Sequence, residues 1–329
     1  MSVKTDVTKL FETRNELTVK EITDYLGVSK QMVHITLNQL MEENFLEKLG
    51  RAPKTIYRLL GKRKKILPII IEPGLSMEEL DFLHKNFLQV SESGSLLDGW
   101  DAFHQWCDQR KLPPIKTVHE YMATKKRYEG YYDTHGMING TAKLKNTKGY
   151  DTIWLDELFY LDFYAIERFG KTRLGTLLHY AKQGQNKYLM GIMLKEIASQ
   201  IKEFIRREKA DAIGYVQPTI RREVQIMKYI QHHLQIPLPV INIKKLSGII
   251  PVPQKSLAKL DERIRNAENT FAVTEQRAFR HLVLIDDAVG SGATMNQLAG
   301  KIKNKQVAQK ITGLAVVGSF KGFDVITDV

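Results

Sequence analysis

Residues 282–285, Leu-Val-Leu-Ile, form an unbroken apolar run that empties into two carboxylates, Asp286 and Asp287, and then into a glycine-rich turn: Ala288, Val289, Gly290, Ser291, Gly292, Ala293, Thr294. A run of that length and branching reads as a strand buried on both faces, the pattern of a mostly parallel sheet flanked by helices. The fold class expected is therefore α/β, with the acid pair at the carboxyl-terminal mouth of a strand, where open sheets of this class bind ligands. Gly290 and Gly292 let backbone amides converge on one concavity, and Ser291 and Thr294 add hydroxyls. A helix predicted over 295–303 offers its N-terminus to a phosphate. The adjacent carboxylates suit vicinal hydroxyls of a sugar.

A second anion loop is expected upstream. Residues 210–216 read as a short strand, followed directly by Gln217, Pro218, Thr219, Ile220, Arg221 and Arg222. Pro218 stiffens the turn, Thr219 offers a hydroxyl, and two guanidiniums can grip phosphate oxygens in bidentate fashion. The plain alternative is a strand end with ordinary surface arginines. Between the two loops lie Pro253, Gln254, Lys255 and Leu257, and then a polar helical stretch with Arg263, Arg265 and Asn266.

The order apolar strand, acid pair, loop, helix resembles the phosphoribosyl-pyrophosphate (PRPP) motif of type I phosphoribosyltransferases. Residues 174–320 taken together resemble the ComF-like branch of that superfamily. The resemblance implies that Asp286 and Asp287 hold the ribose hydroxyls and serve catalysis, and that Gly290, Ser291, Gly292, Ala293 and Thr294 wrap the 5-phosphate. It further implies that Pro218, Thr219, Arg221 and Arg222 bind pyrophosphate, joined by Lys255, Arg263 and Arg265 from a mobile flap, with Mg2+ carried in by PRPP. Two positions depart from the usual pattern, Ala288 and Gly290, and the cysteine knuckle that opens many ComF proteins is absent. Phe320 and Phe323, beyond a further buried-type strand over 311–317, suit base stacking and hydrophobic packing equally.

The first sixty residues carry helix signals of a separate module. Thr18 and Glu21 form a capping-box pair and Gly27 stops that helix; Ser29 caps the next, which turns Val33, Leu37 and Leu40 inward and Lys30, Gln31, His34 and Asn38 outward. Two strand-like segments, 45–49 and 55–60, flank a turn bearing Arg51 and Lys54. This resembles a winged helix-turn-helix over residues 1–62, which implies DNA contact through Ser29, Lys30, Gln31 and His34, with Arg51 and Lys54 on the wing. Dimer contact or protein docking is the other use of such a module. Residues 1–65 hold 13 Lys or Arg against 8 Asp or Glu, a net of +5 within a chain total of +12.

A basic, proline-bearing linker is expected over 63–74, a helical and irregular connecting segment over 75–150, and the nucleotide-binding domain over 151–329. In the connecting segment Leu97, Trp100, Phe103 and Trp106 read as one amphipathic helix with a core-facing aromatic stripe, and no role is assigned to 128–150. The single cysteine, Cys107, excludes internal disulfides, and no apolar run reaches the roughly 20 residues that a membrane span needs. A cytoplasmic homodimer without membrane attachment is the expectation. Two functions fit: a DNA-binding regulator that responds to PRPP or a nucleotide, as in purine-repressor proteins that join these two fold types, or a working transferase brought to DNA or a partner by its N-terminal module.

Overall fold

The computed structural model describes residues 3–14, 16–43, 45–51, 54–59, 74–91, 94–218, 222–246 and 260–319. The chain divides into two compact units, Met1–Pro73 and Gly74–Val329.

In the first unit, α1 (Val3–Thr13), β1 (Glu16–Leu17), α2 (Val19–Leu26) and α3 (Lys30–Glu42) precede an antiparallel pair, β2 (Leu46–Arg51) and β3 (Lys54–Leu59). β1 was not anticipated; it adds to the other edge of β3, giving the sheet order β1-β3-β2. The helix signals act as read. Thr18 accepts from the Glu21 amide while Glu21 reaches back to the Thr18 amide, Gly27 ends α2 at φ +64°, and Ser29 accepts from the Met32 amide. Val33, Leu37 and Leu40 enter a core with Phe11, Ile22 and Tyr57. Arg51 pairs with Lys54 in the ladder, so only residues 52 and 53 lie between the strands.

The second unit opens with α4 (Met77–Asn86), the hairpin β4 (Leu88–Val90) and β5 (Leu96–Asp98), α5 (Gly99–Gln109) and α6 (Pro114–Glu129). Leu97 therefore lies in a strand and not on the aromatic helix: β5 pairs with β4, and the chain enters α5 at Gly99 with φ +61°. Pro114 starts α6 at a position where a missing N–H costs nothing. Phe87, Phe103, Trp106, Tyr121 and Phe169 pack edge to face, tilted or, for Trp106 with Phe169, stacked, with centroids 4.9–5.9 Å apart. The aromatic stripe is thus core.

Next come β6 (Ile138–Asn139), α7 (Thr141–Asn146), β7 (Glu157–Phe163), a small hairpin of β8 (Ala165–Ile166) and β9 (Gly170–Lys171), α8 (Arg173–Gln183) and α9 (Lys187–Arg207). The remainder is β10 (Ala212–Tyr215), α10 (Ile226–Leu234), β11 (Ile243–Lys245), α11 (Leu260–Thr270), β12 (Phe271–Val273), β13 (Phe279–Val289), α12 (Ala293–Asn304) and β14 (Ala308–Gly318).

The central sheet has the order β10-β13-β14-β7-β6, and every neighbouring pair is parallel except β6 with β7. Leu282, Val283, Leu284 and Ile285 are fully buried, and alternation divides them between two cores. Leu282 and Leu284 pack with α12 and the aromatic cluster on one face; Val283 and Ile285 pack with α8, α9 and α10 on the other. Each such side chain contributes about 1.5–3 kcal/mol through burial, which fixes β13 between β10 and β14 and gives its acids a rigid base. β10 is far shorter than β13. Its last ladder bond runs from the Val216 amide to Ile285 O at 2.9 Å, and two residues later Pro218 has no N–H to give. No helix of the described residues is long and apolar enough to cross a membrane.

Candidate functional site

Asp286 and Asp287 lie within β13, not after it: Asp286 stands beside Ala315 of β14, and the ladder continues to Val289 beside Gly318. On the other side β10 has already stopped at Tyr215, beside Ile285. The acids thus begin where β13 loses one neighbour among the described residues, which opens a step at the carboxyl mouth. Strand alternation sends them to opposite faces. Asp287 continues the Val283 and Ile285 side, toward α8, and Asp286 continues the Leu282 and Leu284 side, toward α12.

Lys182, near the end of α8, closes on Asp287 with Nζ 2.8 Å from Oδ1 and 2.7 Å from Oδ2. Asp287 is buried and Lys182 mostly so. Among the described residues no cation is bonded to Asp286; one of its oxygens accepts the Asp287 amide at 2.8 Å. Desolvation, and then the neighbouring Asp287 charge, raise the Asp286 pKa well above the usual carboxylate range, against the opposing pull of Lys182. The pair is therefore unequal: Asp287 has an ammonium partner, and the Asp286 carboxyl is shifted toward its protonated form.

The turn that follows is held from three sides. Gly292 adopts φ +86° and precedes α12 without a side-chain cap; the Ala293 amide reaches Ser291 Oγ at 3.4 Å. No other cap covers the first turn, so amides there remain available to an anion. A side chain at 292 has no room, because a Cβ would stand 2.7 Å from Leu144 Cδ1 of α7. Tyr150 donates to Ser291 O at 2.9 Å, and burial raises the Tyr150 hydroxyl pKa to about 12. Asn296, fully buried on α12, accepts the Trp154 and Leu155 amides at 2.7 and 3.1 Å and donates to Thr152 O at 2.9 Å, which ties the helix to residues 152–155.

The other residues expected at the site divide. Arg263, on α11, acts on Tyr150 through its charge, which opposes the rise in that hydroxyl's pKa. Arg265 is exposed on the surface of α11 and paired with Asp261 at 2.7 Å. The Arg222 guanidinium binds the Lys182 carbonyl and, at 2.8 Å, Gln183 Oε1, so it braces the end of α8 that carries Lys182. Pro218 follows β10 at the mouth. Thr219, Arg221, Lys255, Phe320 and Phe323 lie outside the described residues. In the first unit, Lys30, Gln31, His34 and Asn38 are exposed on α3, and the Ser29 hydroxyl caps that helix at 3.3 Å.

Sequence reasoning did not find Lys182, Lys143, Tyr150 or Asn296. Residues 182–187 read as a polar turn, yet α8 runs on to Gln183. Asn296 had one usable signal: it lies three residues from both Ala293 and Ala299 on the apolar stripe of α12. No family model matches the chain, and a search of curated proteins finds no matching relative.

Proposed function

We propose that the second unit is a type I phosphoribosyltransferase-like domain that binds PRPP or a nucleotide, and that the chain is a ligand-responsive DNA-binding regulator. The observation that carries this reading is the conjunction at one strand end of an acid pair, an uncapped helix N-terminus behind a left-handed glycine, and a basic shell of Lys182 and Arg263. A ribose 5-phosphate presents two hydroxyls and a dianion, the groups that an acid pair and a helix N-terminus suit. In this reading Asp286 and Asp287 take the hydroxyls, and the Gly290 to Thr294 turn takes the 5-phosphate.

Mg2+ enters as a companion of the pyrophosphate. The donor set fits that role: two carboxylates at the mouth, and no group of three or more His, Cys, Asp or Glu among the described residues able to hold an ion without the ligand.

Regulation is favoured over turnover because Arg222, expected to stabilise a leaving pyrophosphate, is engaged by the α8 terminus. The first unit is read as a winged helix-turn-helix: three helices and a three-stranded antiparallel sheet, with α3 exposing Lys30, Gln31 and His34 as a helix entering a major groove would. A homodimer would present two such helices to a two-fold DNA site.

Calorimetric titration of PRPP into the wild type and into Asp286→Ala with Asp287→Ala tests the site: binding is expected for the first and a loss of at least about tenfold for the second. Equal binding by both would remove the site assignment. Fluorescence anisotropy on duplex DNA with and without PRPP tests regulation, and pyrophosphate release in the presence of a base would instead establish a transferase.

A further inference from the structure

α7 carries a lysine with an unusual setting. Lys143 is half-buried, and its Nζ donates to the Ser319 carbonyl, while the Ser319 amide donates to Val289 O at 3.0 Å. Val289 is the residue at which the Gly290 to Thr294 turn begins. The next residue of α7, Leu144, is the one that meets Gly292 in that turn. α7 thus sets the ammonium on Ser319, which bonds to the residue before the turn, and sets Leu144 beside Gly292 within it.

No carboxylate lies within salt-bridge distance of it among the described residues. The titratable groups on β7 are Glu157, Tyr160 and Asp162; Glu157 pairs with Lys310 at 2.6 Å, and Asp162 accepts from Tyr132 at 2.5 Å. Tyr150 is bonded to Ser291 O in the turn, Arg263 acts on Tyr150 through its charge, and Asp286 lies in β13 beside Ala315. Burial alone lowers the Lys143 pKa to about 8, with no charge opposing it. A buried cation without an anion is costly unless something completes it.

We infer that Lys143 is a ligand-binding residue, the counter-charge for the phosphate group of the sugar phosphate held on the Gly290 to Thr294 turn. This rests on the proposed sugar-phosphate site and adds a residue from a different helix, far upstream in sequence. The phosphate supplies the missing anion, so its arrival restores the full positive charge of Lys143.

The test is calorimetric titration of PRPP and of ribose 5-phosphate at pH 8 in two buffers of different ionisation enthalpy. Near its pKa, Lys143 is about half protonated when free, so binding takes up as much as about half a proton. Lys143→Met is expected to bind at least about tenfold more weakly with no uptake; Lys143→Arg, always charged, retains affinity but also shows no uptake. Ribose 5-phosphate follows the same pattern as PRPP because it shares that phosphate. Circular dichroism confirms that the variants fold. If the wild type binds with no proton uptake and Lys143→Met binds equally well, the role of Lys143 is overturned while the sugar-phosphate site stands. If the wild type binds neither compound, both fall together.

Discussion

Lys182 and Asp287 are 105 residues apart in sequence, yet the lysine ammonium lies 2.8 Å and 2.7 Å from the two carboxylate oxygens. The contact ties α8 to β13 at the point where the acids begin.

Removing that ammonium leaves Asp287 buried without a partner. Lys182→Met is expected to destabilise the second unit by about 1–3 kcal/mol, between the values for exposed and buried pairs. All three tryptophans, Trp100, Trp106 and Trp154, lie in this unit, so their fluorescence in urea follows it alone. Adding Asp287→Asn should recover part of the loss; a double variant as unstable as the sum of the two single ones would show no coupling.

Asp286 gives the opposite pH signature to a paired acid. Its folded pKa lies above its unfolded value of about 3.9, so the folded chain binds the extra proton. The associated stability is complete below about pH 4 and is lost as pH rises through the folded value. Asp286→Asn should therefore show a flatter dependence of stability on pH from 4 to 7, and greater stability at pH 7. Urea denaturation at stepped pH measures both, and a variant with the wild-type slope would contradict the assignment.

Gly292→Ala meets two penalties, a left-handed backbone at φ +86° and the Leu144 methyl 2.7 Å from the new Cβ. The backbone alone costs about 1–2 kcal/mol. Leu144→Ala made in the same chain relieves the contact but empties part of the core, at about 2–5 kcal/mol, so the double variant should be no more stable to heat than Gly292→Ala.

Asn296→Ala strands two backbone amides and a carbonyl in the interior. A loss of about 2–4 kcal/mol is expected, several times that of an exposed asparagine. Hydrogen exchange should show the Trp154 and Leu155 amides losing protection first.

For the first unit, Lys30→Ala should weaken duplex binding at all sequences and reduce the salt slope by about 1, as loss of one phosphate contact does. Anisotropy over a salt series reads this directly. An unchanged slope would point α3 toward a protein partner.

The parts of the fold written in short-range patterns were legible in the sequence. Thr18 with Glu21, Gly27, Ser29, and the run 282–285 each specify a local geometry that neighbouring residues complete. The length of β13 was not: Asp286 to Val289 are strand because β14 continues beside them, a tertiary fact. Leu97 was misplaced because a three-residue strand followed by Gly99 shows no period of its own. Within the candidate site, Asp286, Asp287 and the glycine turn stood out by composition. Lys182, Lys143 and Tyr150 did not, since their partners lie 105, 176 and 141 residues away.

The early stop of β10 has a larger meaning. Where a strand of four residues borders one of eleven, Asp286 to Val289 have no ladder partner on that flank among the described residues. Main chain prolonged beyond Val216 would have to run directly beside the two acids.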